Sequence, residues 1–435
     1  MLKYYLHKTI NNKDYKEIIS KGGFFLIIRV FGLMAGYIYT FLITKRYGAE
    51  TYGLLSLAFS LFFFFGIIGR MGVDINVAKF YSIEENEKDF GLFYIVLFKS
   101  FIISSLIALL LYFSSDFFVY KIFHKPQLKP FISWISLSIP FWSVTLICGG
   151  ILRAKKNNAW FAFFDNPGRF IFSIIAFLIL VLITDKPIIS AVSHSIGIIV
   201  IAIVSFIVVF IDIKTITLKT MQSSWVFFKD AFPMMLSSTI LILMGWADTF
   251  ILGIFESGEH IGIYNVAVKI SSLTGLSLMA INSILAPKIA QFYSKGETER
   301  LNEIIRFSAS VNFYITLLIV LSIIVFHNWL LGLFGHAFLN GKTALIVLCI
   351  GQIFNSLAGS VGIILQMTGY QKIFQNTLLL ALFINLALNF MLIPHFGIMG
   401  AAFATVFSMI FWNITGAFYL NFKLNIISYY RFFKK

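Results

Sequence analysis

Charged side chains lie inside the long apolar runs of this chain. Arg29, Arg70, Lys99, Arg169 and Lys269 are cations, and Asp248 is an acid. A charge within a bilayer costs at least ~2.5 kcal/mol on insertion scales, so it needs a partner, a wet cavity or a route back to the surface. Three of the cations are arginines, whose planar fork suits bidentate recognition of phosphate. Arg29 stands seven residues into the run 22–44, GGFFLIIRVFGLMAGYIYTFLIT, ~10 Å along a helix. Helical spacing puts it on one face with Gly32, Leu33 and Gly36, where small residues let a helix or a ligand come close. Either this face points into a polar interior or Arg29 snorkels to the surface. Arg70, near the end of its run, leaves the same two readings open. Arg169 opens its run after Asn166-Pro167-Gly168 and also fits a boundary anchor. Lys99 lies deep among Ile95, Ile102 and Ile103, in either a structural or a functional role.

Asp248 lies six residues before the end of one run and Lys269 eight residues into the next. On consecutive antiparallel helices both would be ~9–12 Å deep from one surface. This matched depth predicts a pair. It is either an ion pair that locks a hairpin or a proton or Na⁺ site on Asp248 for which Lys269 competes. Asn265, Lys269 and Ser272 form one stripe at helical spacing.

These residues require elements that cross a membrane. The 435 residues are 59% hydrophobic and only 12% charged, with a mean hydropathy of +0.89, which points to an all-α integral membrane protein. Twelve spans are predicted, at 22–43, 51–73, 90–112, 130–152, 162–184, 188–211, 231–254, 261–285, 306–326, 342–365, 374–394 and 397–420. The net charge of +15 suggests nucleic acid at first, but the cations sit between the runs and form no single basic face. Alternate loops hold 22 and 7 Lys and Arg residues, a bias that places both termini in the cytoplasm. Residues 1–21 read as a cytoplasmic N-terminal segment too polar for a signal peptide. Residues 22–211 and 231–420 read as two six-helix bundles, 212–230 as a cytoplasmic linker and 421–435 as a basic cytoplasmic tail. Cys148 and Cys349 fall inside apolar runs and are expected as buried free thiols. The sequence offers no Walker loop, zinc-type spacing or G-x-S-x-G, and no cofactor or metal is expected.

The chain repeats itself. Gly48-Ala-Glu-Thr-Tyr-Gly-Leu-Leu-Ser-Leu-Ala58 parallels Ser257-Gly-Glu-His-Ile-Gly-Ile-Tyr-Asn-Val-Ala267, with Gly53 aligned to Gly262. Phe80-Tyr81-Ser82 likewise answers Phe292-Tyr293-Ser294. Six spans separate the copies, which predicts a parallel pseudo-two-fold repeat of six-helix halves with a central substrate cavity.

Three stretches carry a family resemblance: Tyr47-Gly-Ala-Glu-Thr-Tyr-Gly53; Ala231-Phe-Pro-Met-Met-Leu-Ser-Ser238 with Trp246-Ala-Asp248 and Gly262-Ile-Tyr264; and Leu392-Ile-Pro-His-Phe-Gly-Ile-Met-Gly-Ala-Ala-Phe-Ala-Thr405. In these the sequence resembles the Wzx-type oligosaccharidyl-lipid flippases of the multidrug/oligosaccharidyl-lipid/polysaccharide (MOP) exporter superfamily. The last string is the most specific. The resemblance implies a MATE-like fold in a bacterial or archaeal cytoplasmic (inner) membrane. It also implies transfer of undecaprenyl-diphosphate-linked oligosaccharide units to the outer leaflet for surface polysaccharide such as O-antigen or lipopolysaccharide, by alternating access coupled to a cation gradient. Its partners would be membrane lipids, the lipid-linked substrate and polysaccharide polymerase or assembly proteins, with no nucleic acid. In that setting Arg29, Arg70, Lys99, Arg169 and Lys269 are candidate cations for the diphosphate, and Asp248 for the coupling ion. Asn265, Ser272, Asn282 and Gln352 are candidates for polar contacts in the cavity, or for interhelical glue.

Three other readings compete. A cation-coupled multidrug exporter of the same fold would favour acids over the cations seen here. A peptidoglycan-precursor flippase usually carries fourteen spans. A glycan polymerase or ligase, an enzyme, would present a large outer loop that this chain lacks.

Overall fold

The structure is a computed structural model. It describes residues 13–83, 89–214, 220 and 223–430, with the backbone alone for 13–26 and 236–238. Parts of the N-terminal segment, the 212–230 linker and the basic tail lie outside these. The described residues form α-helices and short 3-10 and π turns, with no strand among them.

By contacts the chain divides into two units. The first comprises Met1–Tyr47 and Leu54–Ile242, the second Gly48–Gly53 and Leu243–Lys435. In chain order the helices are α1 Lys13–Arg70, α2 Val73–Phe80, α3 Phe90–Phe113, α4 Lys129–Ser136, α5 Ile139–Ala154, α6 Asn158–Asp165, α7 Pro167–Ile183, α8 Ile189–Ile213 and α9 Ser224–Phe255. They continue as α10 Gly258–Ser271, α11 Gly275–Ser294, α12 Thr298–Val325, α13 His327–Phe334, α14 Lys342–Ala358, α15 Val361–Met367, α16 Gln371–Phe396 and α17 Ile398–Leu424. The boundary between the units falls inside α9.

Among the described residues, eight helices are long and apolar enough to cross a membrane, and up to eleven are if each bent pair counts as one span. The stretch Ile27–Arg70 counts once among these, yet its 44 residues run ~65 Å, twice a hydrocarbon core. It covers the first two expected spans, and Gly48 divides it with φ 78° and ψ −174°, outside helical space. The bent pairs are kinked for identifiable reasons. Pro167 stands at the start of α7, where α6 and α7 meet at 49°, because a proline tolerates only the first turn of a helix. The α9 helix bends by 54° between Ser224–Met235 and Thr239–Phe255, just past Pro233.

The surface is built for lipid. Leu182 is 88% exposed, and Phe98, Phe113, Ile183, Leu318, Val325 and Phe422 also face outward. Many polar side chains are turned inward, as a bilayer solvent demands. Ser60, Ser205, Thr145 and Ser408 are buried and donate back to carbonyls of their own helices. The first unit's core runs through Val77, Phe93, Ile147, Phe164 and Phe227, the second's through Leu285, Ile305, Ile364 and Leu420.

Glycines set the closest approaches. In the first unit a Cβ at Gly32 would come within 2.6 Å of the Pro167 ring, and one at Gly36 within 3.1 Å of Phe170. The glycine face that carries Arg29 thus packs directly on the start of α7. In the second unit a Cβ at Gly53 would collide with the Gly258 carbonyl, and one at Gly262 with the Ala49 carbonyl. The two repeat copies therefore touch through the aligned positions that the sequence singled out. Gly397, with φ 54°, makes the turn between α16 and α17. The tail does not leave the second unit at once. Tyr430 N–H donates to Leu357 O at 2.9 Å, and its ring stacks on Phe313 at 4.8 Å.

Gly262→Val is expected to lower the melting temperature of the detergent-solubilised protein through overpacking, at ~1–3 kcal/mol. Gly245→Val, whose Cβ meets nothing within 4 Å, is expected to leave it unchanged. Fluorescence-detected thermal unfolding compares the two.

Candidate functional site

The first unit gathers arginines at the α6–α7 corner. Arg29 Nη2 donates to Asp165 Oδ2 at 2.7 Å. Arg169 Nη2 donates to Asn166 Oδ1 at 3.0 Å. Its guanidinium also lies over the rings of Phe170, Trp142 and Phe63, with centroids at 4.7, 4.8 and 5.7 Å. Such stacking stabilises a poorly hydrated cation within an apolar wall. The Arg169 Nε is buried and has no partner among the described residues. No side chain caps the N-terminus of α7, so backbone donors and a positive helix end adjoin the same corner.

The other two expected cations of this unit have different partners. Arg70 Nε pairs with Asp74 Oδ1 at 2.9 Å one turn on, and its charge is met locally. Lys99 Nζ donates to Ser224 Oγ at 2.7 Å and lies 4.4 Å from the Trp225 ring, at the start of α9. Sequence reasoning passed over two buried side chains here. Tyr39 donates to Ser190 O and meets Ser193 Oγ at 2.9 Å. His194 packs on Phe59 at 4.5 Å and meets Ser173 Oγ at 3.4 Å.

The second unit builds a cage around Asp248. Its Oδ1 accepts from Asn389 Nδ2 at 2.7 Å and from Asn385 Nδ2 at 3.2 Å. Its Oδ2 accepts from the Tyr264 hydroxyl at 2.7 Å and from the Thr405 hydroxyl. Asp248 is 7% exposed, and its partners come from α10, α16 and α17. Lys269 is not among them, which corrects the expected Asp248–Lys269 pair. The reason is helical geometry. Tyr264 and Lys269 are five residues apart, so they lie ~140° apart around α10, and equal depth does not make equal direction.

The polar stripe on α10 also resolves differently. Asn265 accepts from Thr249 at 3.1 Å and donates to Ile261 O at 2.9 Å, while Ser272 donates to Lys269 O where α10 gives way to a 3-10 turn. Asn282 Oδ1 is buried with no partner among the described residues. Gln352 Oε1 accepts from Asn355 Nδ2 at 3.4 Å, and Asn355 accepts from Asn413 at 3.0 Å. Neither Asn282 nor Gln352 bonds to the Asp248 cage.

The cage is rich in oxygen. Besides the carboxylate it holds two hydroxyls and two amides, and Asn389 Oδ1 is buried without a partner among the described residues. Rotating an amide by half a turn exchanges its N–H donor for a carbonyl oxygen. The set then suits a hard monovalent cation or a proton. No group of three or more His, Cys, Asp or Glu suited to a metal occurs among the described residues.

The polysaccharide biosynthesis protein family matches residues 18–293. The chain belongs to that family. The MatE family matches residues 233–391. Within the curated proteins, a probable low-salt glycan biosynthesis flippase of Haloferax volcanii is 30% identical over 177 residues, 40% of this chain and 38% of that protein. The capsular polysaccharide biosynthesis protein CapF of Staphylococcus aureus is 24% identical over 213 residues, 48% of this chain and 50% of that protein. The matched stretches thus span a third to a half of these relatives' lengths. A solved lipid II flippase MurJ, in an inward closed conformation, superposes with a TM-score of 0.76 at 18% identity, covering 93% of this chain and 87% of its own. An inward-facing multidrug resistance MATE transporter gives 0.75 at 14% identity, covering 92% and 98%. The family member described here therefore has the MOP-superfamily fold that its sequence led one to expect.

Removing the Asp248 acceptor strands buried donors at ~1–3 kcal/mol each where no water replaces it. Asp248→Leu is expected to melt well below the wild type. Asp248→Asn, which keeps an acceptor oxygen, is expected to melt close to it. Thermal unfolding of the purified variants reads the difference.

Proposed function

We propose that the chain is a flippase for polyprenyl-diphosphate-linked oligosaccharides, working by alternating access and driven by a cation gradient. The observation that carries this reading is the α6–α7 corner, where Arg29 and Arg169 stand inside apolar helices beside an uncapped helix N-terminus. A diphosphate cannot enter hydrocarbon bare. Arginine forks and helix N-termini are the groups that replace its water, while the prenyl chain stays in lipid. Family membership and the curated relatives' names support a glycan cargo, and the in-span cations disfavour a cationic drug.

On this reading Asp248 takes the coupling ion. Its carboxylate is held by neutral donors alone, so a proton or Na⁺ entering the cage meets no competing positive side chain among the bonded partners. Thr405, Asn385 and Asn389 would supply the remaining oxygens. Exchange between the two hydrogen-bonding states of this cage would bias the helices that carry it, α9, α10, α16 and α17.

Arg29→Ala is expected to abolish complementation of a flippase-deletion strain and to leave diphosphate-linked units accumulating in its lipid extract. Arg29→Lys is expected to retain part, because it keeps the charge and loses the fork. Normal export by Arg29→Ala at normal abundance would remove the arginine from the reading.

The 22 to 7 distribution of basic residues places the termini in the cytoplasm on this proposal. With Cys148 and Cys349 replaced, Glu259→Cys is expected to react with an impermeant thiol reagent from outside and Lys295→Cys is not. The opposite pattern would reverse the direction of loading.

A further inference from the structure

Arg29 already has an anion. Asp165 closes α6, and its Oδ2 accepts from Arg29 Nη2 at 2.7 Å with both side chains about one-third exposed, at 32% and 31%. The next residue, Asn166, spends its side-chain oxygen on Arg169 and leaves the start of α7 uncapped. The two arginines thus bond to adjacent residues of one corner. Among the described bonds of this corner, one carboxylate stands with two in-span arginines.

The pair is placed to exchange. A fully buried ion pair resists separation, because each partner would be stranded in a low dielectric. A pair exposed by a third can be reached by a ligand and loses less when opened. The backbones that carry it are fixed at this point, since Gly32 of α1 sits against the ring of Pro167 with no room for a methyl group. The exchange is then a matter of side chains. A carboxylate and a phosphate offer the arginine fork the same two-oxygen edge, but a diphosphate brings more charge and more oxygens. It can satisfy Arg29 and the Arg169 Nε, which is buried and unpartnered among the described residues.

Resting on the reading of Arg29 and Arg169 as the diphosphate site, we infer that Asp165 is a resident stand-in for the substrate's phosphate. It occupies Arg29 while the site is empty and yields it to the diphosphate. It thereby lowers affinity for every anion by a similar factor. Singly charged anions and sulfate are then held too weakly to occupy the corner, and a diphosphate is still held. Asp165 is a positioning and specificity residue that acts through Arg29.

The test is binding of farnesyl diphosphate, and of inorganic sulfate, to the purified full-length protein in nanodiscs. Asp165→Asn is expected to bind farnesyl diphosphate about tenfold more tightly than the wild type and to bind sulfate measurably. Asp165→Glu is expected to stay near the wild type and Arg29→Ala to bind weakly. Without ligand Asp165→Asn is expected to melt lower than the wild type, and saturating farnesyl diphosphate is expected to close that gap. A merely structural ion pair would leave the gap in place. Asp165→Ser serves the same comparison should the Asn variant fail to fold. If Asp165→Asn and Asp165→Ser bind no more tightly while Arg29→Ala is weakened, the exchange is wrong and the diphosphate site stands. If Arg29→Ala binds as the wild type does, the diphosphate site is wrong and the exchange falls with it.

Discussion

A charged side chain in hydrocarbon must be met by something, and this constraint organises both units. Arg29 meets Asp165, Arg70 meets Asp74, Arg169 meets three aromatic faces and an amide, and Lys99 meets a hydroxyl and an indole. Asp248 meets four neutral donors. The means differ, and the differences sort the residues. A tight i to i+4 pair such as Arg70–Asp74 completes itself within one helix turn. The pair Arg29–Asp165 joins helices 136 residues apart in sequence. It holds a corner that also contains Arg169. The acid is solvated by dipoles without any counter-charge bonded to it. A corner and a cage of these two kinds are what an anionic cargo and a cationic driver would each require.

Packing makes those arrangements definite. Gly32 and Gly36 let α1 lie against Pro167 and Phe170, so Arg29 arrives at the end of α6 in a fixed position. Pro167 starts α7 sharply, and Asp165 and Asn166, which bond to the arginines, lie at the 49° bend. In the second unit Gly397 closes the turn between α16 and α17 and brings Thr405 beside Asn385 and Asn389 on one carboxylate. The polar groups are thus held by apolar and glycine contacts that carry no chemistry themselves.

Most of the apolar helices were legible in the sequence because length and apolarity decide them, whereas the expected count of twelve spans meets eight helices, or eleven with the bent pairs, among the described residues. The alignment of Gly53 with Gly262 was legible too, but their mutual contact was not, because a repeat shows which positions are equivalent and not which ones touch. Gly48 hid a division that the apolar pattern had already drawn, since the helix runs up to it on both sides. Asp165 was not legible as the partner of Arg29. It ends a short helix before a proline, where an acid reads as a boundary residue, and nothing local links it to a site 136 residues away. Asn385 and Asn389 did leave a signal, two amides at i and i+4 in an apolar run. That signal was outweighed by Lys269, whose depth matched Asp248 and whose direction did not. Depth along a helix can be counted from sequence, whereas rotation relative to a neighbour depends on packing that only the fold supplies.

The central claim is that an anionic lipid-linked cargo is moved at the expense of a cation held by Asp248. The most direct measurement is translocation of a lipid-linked oligosaccharide by the purified protein in proteoliposomes, with and without an imposed proton or Na⁺ gradient. It is made for the wild type and for Asp248→Asn. The account predicts that one of the gradients accelerates the wild type and that neither affects the variant. Equal acceleration of both proteins, or wild-type translocation that ignores both gradients, would contradict it.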